Sequence, residues 1–347
     1  MFAYVGCRTT KERNARGRGI EVYEVDGAGE WTRIQLVEGL VNPSYLCLDR
    51  TGEFLYSVHG DHSEVSSFSI DGESGKLTKL GTVSTCGTNP VHLSVDRTNR
   101  WLFVANLQTG NVVVLPRRQD GSLGEVAWNY TIAGRVEGGV SHPHQVAQDE
   151  TGDYLLVSCQ GRAQGFGQVD VFRIDHETGE LERTSLARSR AIAEPRHLAL
   201  HPSNRWAFGV NEKDYTVTTY AFDAASGGLR PLRIVSTLPE TCVEDGWASG
   251  IVVTGDGGLV IVSNRSHDSL TSFAVDRQTG RLTLRDCVPS GGGQPRFIGL
   301  APAGHTVWAA NELSDSLVEF SYDLETGVLM RTGRVVETPS PTCLVFK

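Results

Sequence analysis

Histidine, arginine and glutamate recur at matched places along this 347-residue chain. The clearest example runs from Glu194 to Lys213, opening on Pro195-Arg196-His197 and closing on Asn211-Glu212. Two short apolar runs lie between, Leu198 to Leu200 and Trp206 to Val210, parted by a polar turn at Pro202-Ser203-Asn204. The pattern predicts a tight β-hairpin with Arg196 and Glu212, sixteen residues apart, at its open end. The same offset joins Ser249 to Arg265, Arg296 to Glu312 and His144 to Gln160. Arg196, Arg265 and Arg296 are suited to a carboxylate or phosphate. His144 is the natural group to exchange a proton near neutral pH. Glu212 can orient an arginine or a water, or act as the base itself. An arginine also stabilises the oxyanion that forms when a carbonyl is attacked, worth ~3 kcal/mol per well-placed donor. Asn264, Glu312, His59 and Asn106 fall on the same predicted rim and extend the set as binding residues.

Other polar residues read differently. His197 and His201 flank inner-strand positions and are expected as packing or turn groups. His142 and His144 have strand spacing, but Pro143 separates them and no third ligand is evident, so no metal is expected. His267-Asp268 reads as a charge-paired loop. The chain has no GxSxG elbow, HExxH, Walker loop or GxGxxG opening a helix. A net charge of -9 argues against a nucleic-acid partner. No apolar run approaches the ~20 residues of a membrane helix. Seven scattered cysteines without a CxxC pair, and no secretory signal, suggest free thiols and a cytoplasmic location. The sequence does not fix an oligomeric state.

What must hold these residues is a repeated hairpin. Asn42-Pro43, Asn89-Pro90, His142-Pro143, Glu194-Pro195, Gln294-Pro295 and Ser340-Pro341 each open a copy, and Trp247-Ala248-Ser249 opens a seventh. Their spacing of roughly fifty residues is that of propeller blades. A second mark, Ser/Thr-Gly-x-Leu, follows at Gly75, Gly179, Gly280 and Gly327, where glycine turns a third strand into a fourth. The fold class expected is therefore all-β: a seven-bladed propeller with four antiparallel strands per blade, as one domain over residues 1–347. Residues 1–39 supply three strands and residues 340–347 the missing leading one, so the two ends should pair and close the ring.

With the residues laid out, the chain resembles the lactonase-type seven-bladed propellers, which include a form of 6-phosphogluconolactonase and the 3-carboxy-cis,cis-muconate cyclases. Pro143-His144, Pro195-Arg196-His197 with Asn211-Glu212, Ser263 to Ser269, and Pro295-Arg296-Phe297 carry the resemblance over essentially the whole chain. It implies a site at His144, Arg196, Glu212 and Arg265, and chemistry without metal or organic cofactor. The chain departs from the family at Cys159-Gln160-Gly161, where an Asp-Leu-Gly turn is common, and at Gly250, where an acidic residue is common. The resemblance implies hydrolysis of an anionic sugar-acid lactone, of the 6-phosphogluconolactonase type. The alternatives are a lactonising muconate-type cycloisomerase and a protein-interaction propeller. Both enzymes would take a small anionic lactone or carboxylate.

Overall fold

The structure, a computed structural model, describes residues 1–302 and 305–347. These residues form seven four-stranded antiparallel sheets around an axis. We number the blades in chain order by their inner strands: Pro43–Leu48, Pro90–Val95, His142–Gln148, Pro195–Leu200, Trp247–Val253 and Pro295–Leu300 for blades 1 to 6. Blade 7 is composite: Pro341–Phe346 pairs antiparallel with Phe2–Cys7, followed by Gly19–Val25 and Trp31–Glu38. The inner strands touch in succession around the ring, including blade 7 with blades 6 and 1. The expected architecture and closing pair are what the structure shows.

Within a blade, sequence pattern follows depth. The second strand of blade 3, Tyr154–Gln160, is buried along its whole length and opens on the apolar run Tyr154 to Val157. Its outermost strand, Leu181–Arg188, has one covered face and mixes Leu181 and Ala187 with charged residues. The apolar core is correspondingly divided into seven clusters, each shared by two neighbouring blades. In one, Phe103, Val112 and Val114 of blade 2 meet Val146, Leu155 and Phe172 of blade 3. Closure uses the same device, with Trp31 of blade 7 against Trp308 of blade 6 at 5.0 Å between ring centroids.

The turn glycines also join blades. Gly179, in the outer turn of blade 3, has φ 77°, and a Cβ there would stand 2.9 Å from the ring of Trp101 in blade 2. Gly280 repeats this over Trp206 with φ 65° and 2.8 Å. Glycine satisfies both the left-handed backbone and the close approach. Gly179→Ala should therefore lower the unfolding free energy by about 2 kcal/mol. An unchanged denaturant midpoint in urea would show that this contact does not bind blade 2 to blade 3.

Candidate active site

Five of the seven inner strands begin on a kink. Asn42, Asn89, Glu194, Gln294 and Ser340 take positive φ values of 39°, 57°, 54°, 59° and 45° immediately before their prolines. The carbonyl of each accepts the amide of the residue just past the second strand. These donors are Gly60, Leu107 and Glu212 at 2.9 Å, and Glu312 and Arg8 at 3.0 Å. One residue after the proline the pairing slips, so a bulge forms. The residues left unpaired are Ser44, Val91, His144, Arg196, Arg296 and Thr342, with Ser249-Gly250 in blade 5. A bulge re-aims its side chain. The first six line one cavity of ≈ 20 Å³ on the axis, together with Arg8, Tyr45, His197 and Phe297. As it stands that is room for about one water, so a larger ligand enters only when the side chains lining the channel part.

A second ring stands at the ends of the second strands. Around the blades from 1 to 7 it reads Gly60, Leu107, Gln160, Glu212, Arg265, Glu312 and Arg8. The two rings meet through ion pairs. Glu212 Oε1 lies 2.9 Å from Arg265 Nη2, and its Oε2 lies 3.5 Å from Arg196 Nε. Gln160 Nε2 donates to the same Oε2 at 2.5 Å, which gives the unusual Cys159-Gln160-Gly161 turn a role. Arg196 Nη1 donates to the Ser249 carbonyl at 2.9 Å and to His197 Nε2 at 3.3 Å. Glu312 pairs with Arg296 at 3.5 Å and accepts from Gln294 Nε2 at 3.3 Å. The Nε groups of Arg196 and Arg265 are buried and have no hydrogen-bond partner.

Burial governs the protonation of these groups. His144 is held well below the usual imidazole range by burial, then by Arg196, Arg296 and Arg265. It is neutral at pH 7, and its Nδ1 has no partner. Burial opposes ionisation of Glu212, but Arg265 and Arg196 outweigh it and hold the carboxyl below its usual value. Burial also pulls Arg196 well down, with Arg265 and Arg296 adding to the effect.

The structure thus gathers His144, Arg196, Glu212, Arg265, Arg296 and Glu312 at one end of the channel. It does not bring His59, Asn106 or Asn264 there. These stand one position earlier, as the last or penultimate residues of their second strands, and are turned into the sheet. His59 uses Nδ1 on the Val41 carbonyl at 2.9 Å and Nε2 on Ser66 at 2.7 Å. Asn106 donates to the Thr85 carbonyl, and Asn264 to Ser269, Thr271 and the Thr237 carbonyl. His267 and Asp268 are not charge-paired either: His267 bonds Ser269 while Asp268 accepts the Gln294 amide. His201 is a turn group on Ser203 and the Gly257 carbonyl. His197 packs edge-on to His144 and His92, at 5.3 and 5.6 Å between ring centroids. His142 turns away to the Leu107 carbonyl. Among the described residues no three His, Cys, Asp or Glu side chains gather as metal ligands. A side chain at Gly250 would meet Ile298 at 2.9 Å, so the acidic residue common there has no room.

Arg8 was not among the residues read from the sequence. Cys7-Arg8 occupies in blade 7 the register of Asn211-Glu212 in blade 4. The signal is legible only when the C-terminal strand is placed ahead of the N-terminal one.

The family description "Lactonase, 7-bladed beta-propeller" matches residues 2–346. The chain is 29% identical to a 6-phosphogluconolactonase of Bacillus subtilis (strain 168), covering 100% of this chain and 99% of that protein. It is 30% identical to a 6-phosphogluconolactonase of Pectobacterium atrosepticum, with 93% of each covered. A solved structure described as a periplasmic gluconolactonase of Pseudomonas aeruginosa superposes with a TM-score of 0.88 at 30% identity, covering 99% of this chain and 98% of that one.

His92, His144 and His197 are all kept neutral by burial and nearby cations, His92 down to about 3. Below the ordinary imidazole value of 6.5 the unfolded chain takes up protons that the folded chain resists. Folding stability is therefore retained above that pH and lost below it, at up to ~4 kcal/mol per pH unit for the three together. Urea midpoints measured from pH 7.5 to 5 should fall, and His197→Phe should make that fall less steep. Equal slopes in the two proteins would mean that His197 is not buried neutral.

Proposed function

The chain belongs to the seven-bladed lactonase propeller family, and on that premise we propose that it hydrolyses the lactone of an anionic sugar acid. The names of its relatives, 6-phosphogluconolactonase and gluconolactonase, support a lactone hydrolase over the cycloisomerase and the interaction platform. The observation that carries the reading is a neutral, buried His144 with an unpartnered Nδ1, lining the cavity beside Arg196.

In this mechanism His144 takes a proton from water as the oxygen attacks the lactone carbonyl carbon. The carbonyl oxygen becomes an oxyanion held by the guanidiniums of Arg196 and Arg265. Collapse of the tetrahedral intermediate breaks the ring C–O bond, and His144 returns the proton to the leaving oxygen. One water is added and an open-chain acid is released. Glu212, held by Arg265, Arg196 and Gln160, fixes the two guanidiniums rather than acting as the base. This division gives His144 the role of base and Glu212 that of a positioning group, a choice that the sequence left open. We take the protein to be cytoplasmic on its seven free cysteines. The periplasmic relative means that family membership does not itself set the compartment.

Offered 6-phosphogluconolactone, the protein should release acid in a pH-stat, with His144→Ala lowering kcat about 10²–10⁴-fold and Arg196→Ala about 10²-fold. Loss of diene absorbance with a carboxymuconate and no lactone turnover would instead identify the cycloisomerase. The rate profile follows from the protonation of His144. Activity requires the neutral ring, so kcat/KM should stay level well below pH 6.5 before it falls. Half-loss at or above that pH would remove His144 as the base.

A further inference from the structure

We propose that Arg8 is a further substrate-binding residue, through which the site selects a lactone carrying an anionic group over its uncharged counterpart. The proposal rests on the lactonase reading above and adds a specificity element on the opposite side of the channel.

Arg8 emerges from the closing blade, its amide bonded to the Ser340 carbonyl at 3.0 Å. It is 3% exposed and lines the axial cavity with His144, Arg196 and Arg296. Its Nε and Nη1 are buried without a hydrogen-bond partner. The nearest carboxylate is Asp61, 3.6 Å from Nη1. That carboxylate is already held by Arg13 and by Asn42 Nδ2 at 2.9 Å. A buried cation with two idle donors is costly unless something meets them.

Position strengthens the case. Glu212 and Glu312 occupy the same register in blades 4 and 6, so blade 7 carries a cation where its neighbour and its opposite carry anions. Arg8, Arg13, Arg196, Arg265 and Arg296 face Asp61, Glu212 and Glu312, five positive charges against three negative. The excess positive charge suits an anionic ligand. In the ring, blade 7 lies across the axis from blades 3 and 4, which supply His144 and Arg196. A sugar acid whose lactone carbonyl lies at His144 and Arg196 therefore extends its far end toward Arg8 and Arg296. A phosphate or carboxylate at that end meets the idle donors, whereas a hydroxyl leaves the cation unmatched.

Gly60 supplies an independent handle. A Cβ there would stand 2.6 Å from Arg8 Nη1, so Gly60→Ala displaces the guanidinium while keeping its charge.

The test compares 6-phosphogluconolactone with unphosphorylated gluconolactone for the full chain, Arg8→Gln, Arg8→Lys and Gly60→Ala. The ratio of kcat/KM between the two lactones should fall at least about fivefold in Arg8→Gln, through KM rather than kcat. Arg8→Lys should recover part of it, and Gly60→Ala should lower it as well. A smaller fall in Arg8→Gln overturns the proposal. Should that variant fail to fold, the same threshold applies to Gly60→Ala. If the wild-type protein opens neither lactone, the lactonase reading fails, and calorimetric binding of 6-phosphogluconate decides Arg8 separately. Binding at least about fivefold weaker in Arg8→Gln supports the anion role, and equal binding overturns it.

Discussion

Seven inner strands converge on an axis, and a side chain reaches that axis only where its strand breaks pairing and leaves the pleat. The break occurs at one place in every blade, just behind the leading proline or its Ala248 equivalent. Left-handed backbone at a non-glycine residue is strained, at about 1–3 kcal/mol each. Five blades accept it directly before a proline. What holds the kink is its own carbonyl, which ties down the residue at the end of the second strand. The same hydrogen bond therefore places one member of each ring of side chains.

That geometry explains how arginines can be packed together in a protein of net charge -9. Each is anchored by backbone or by a carboxylate in the second ring: Arg196 on the Ser249 carbonyl and Glu212, Arg265 on the Ala248 carbonyl and Glu212. The carboxylates offset the repulsion without consuming every donor. Because the apolar cores lie between blades, the axis itself is free to be polar.

Much of this was legible in the sequence because propeller repeats preserve register. The sixteen-residue offset pairs Arg196 with Glu212 and Arg296 with Glu312. The errors were one residue wide. Asn264 bonds inward to Thr271, while the next residue, Arg265, reaches Glu212. A step of one along a strand reverses a side chain's direction, and sequence spacing alone does not say where the strand ends. Arg8 was hidden for another reason: its hairpin is divided between the two ends of the chain.

That division makes the closing blade more than a seal. Arg8 reaches its register only when Phe2–Cys7 pairs with Pro341–Phe346, the contact of greatest sequence separation in the fold. Loop closure on that scale is entropically costly and comes late when local hairpins are available first. Six blades can be in place while the axial cavity still lacks one wall. Completion of the axial cavity and completion of the ring are thus a single event, and the four arginines come together only once the two ends of the fold have paired.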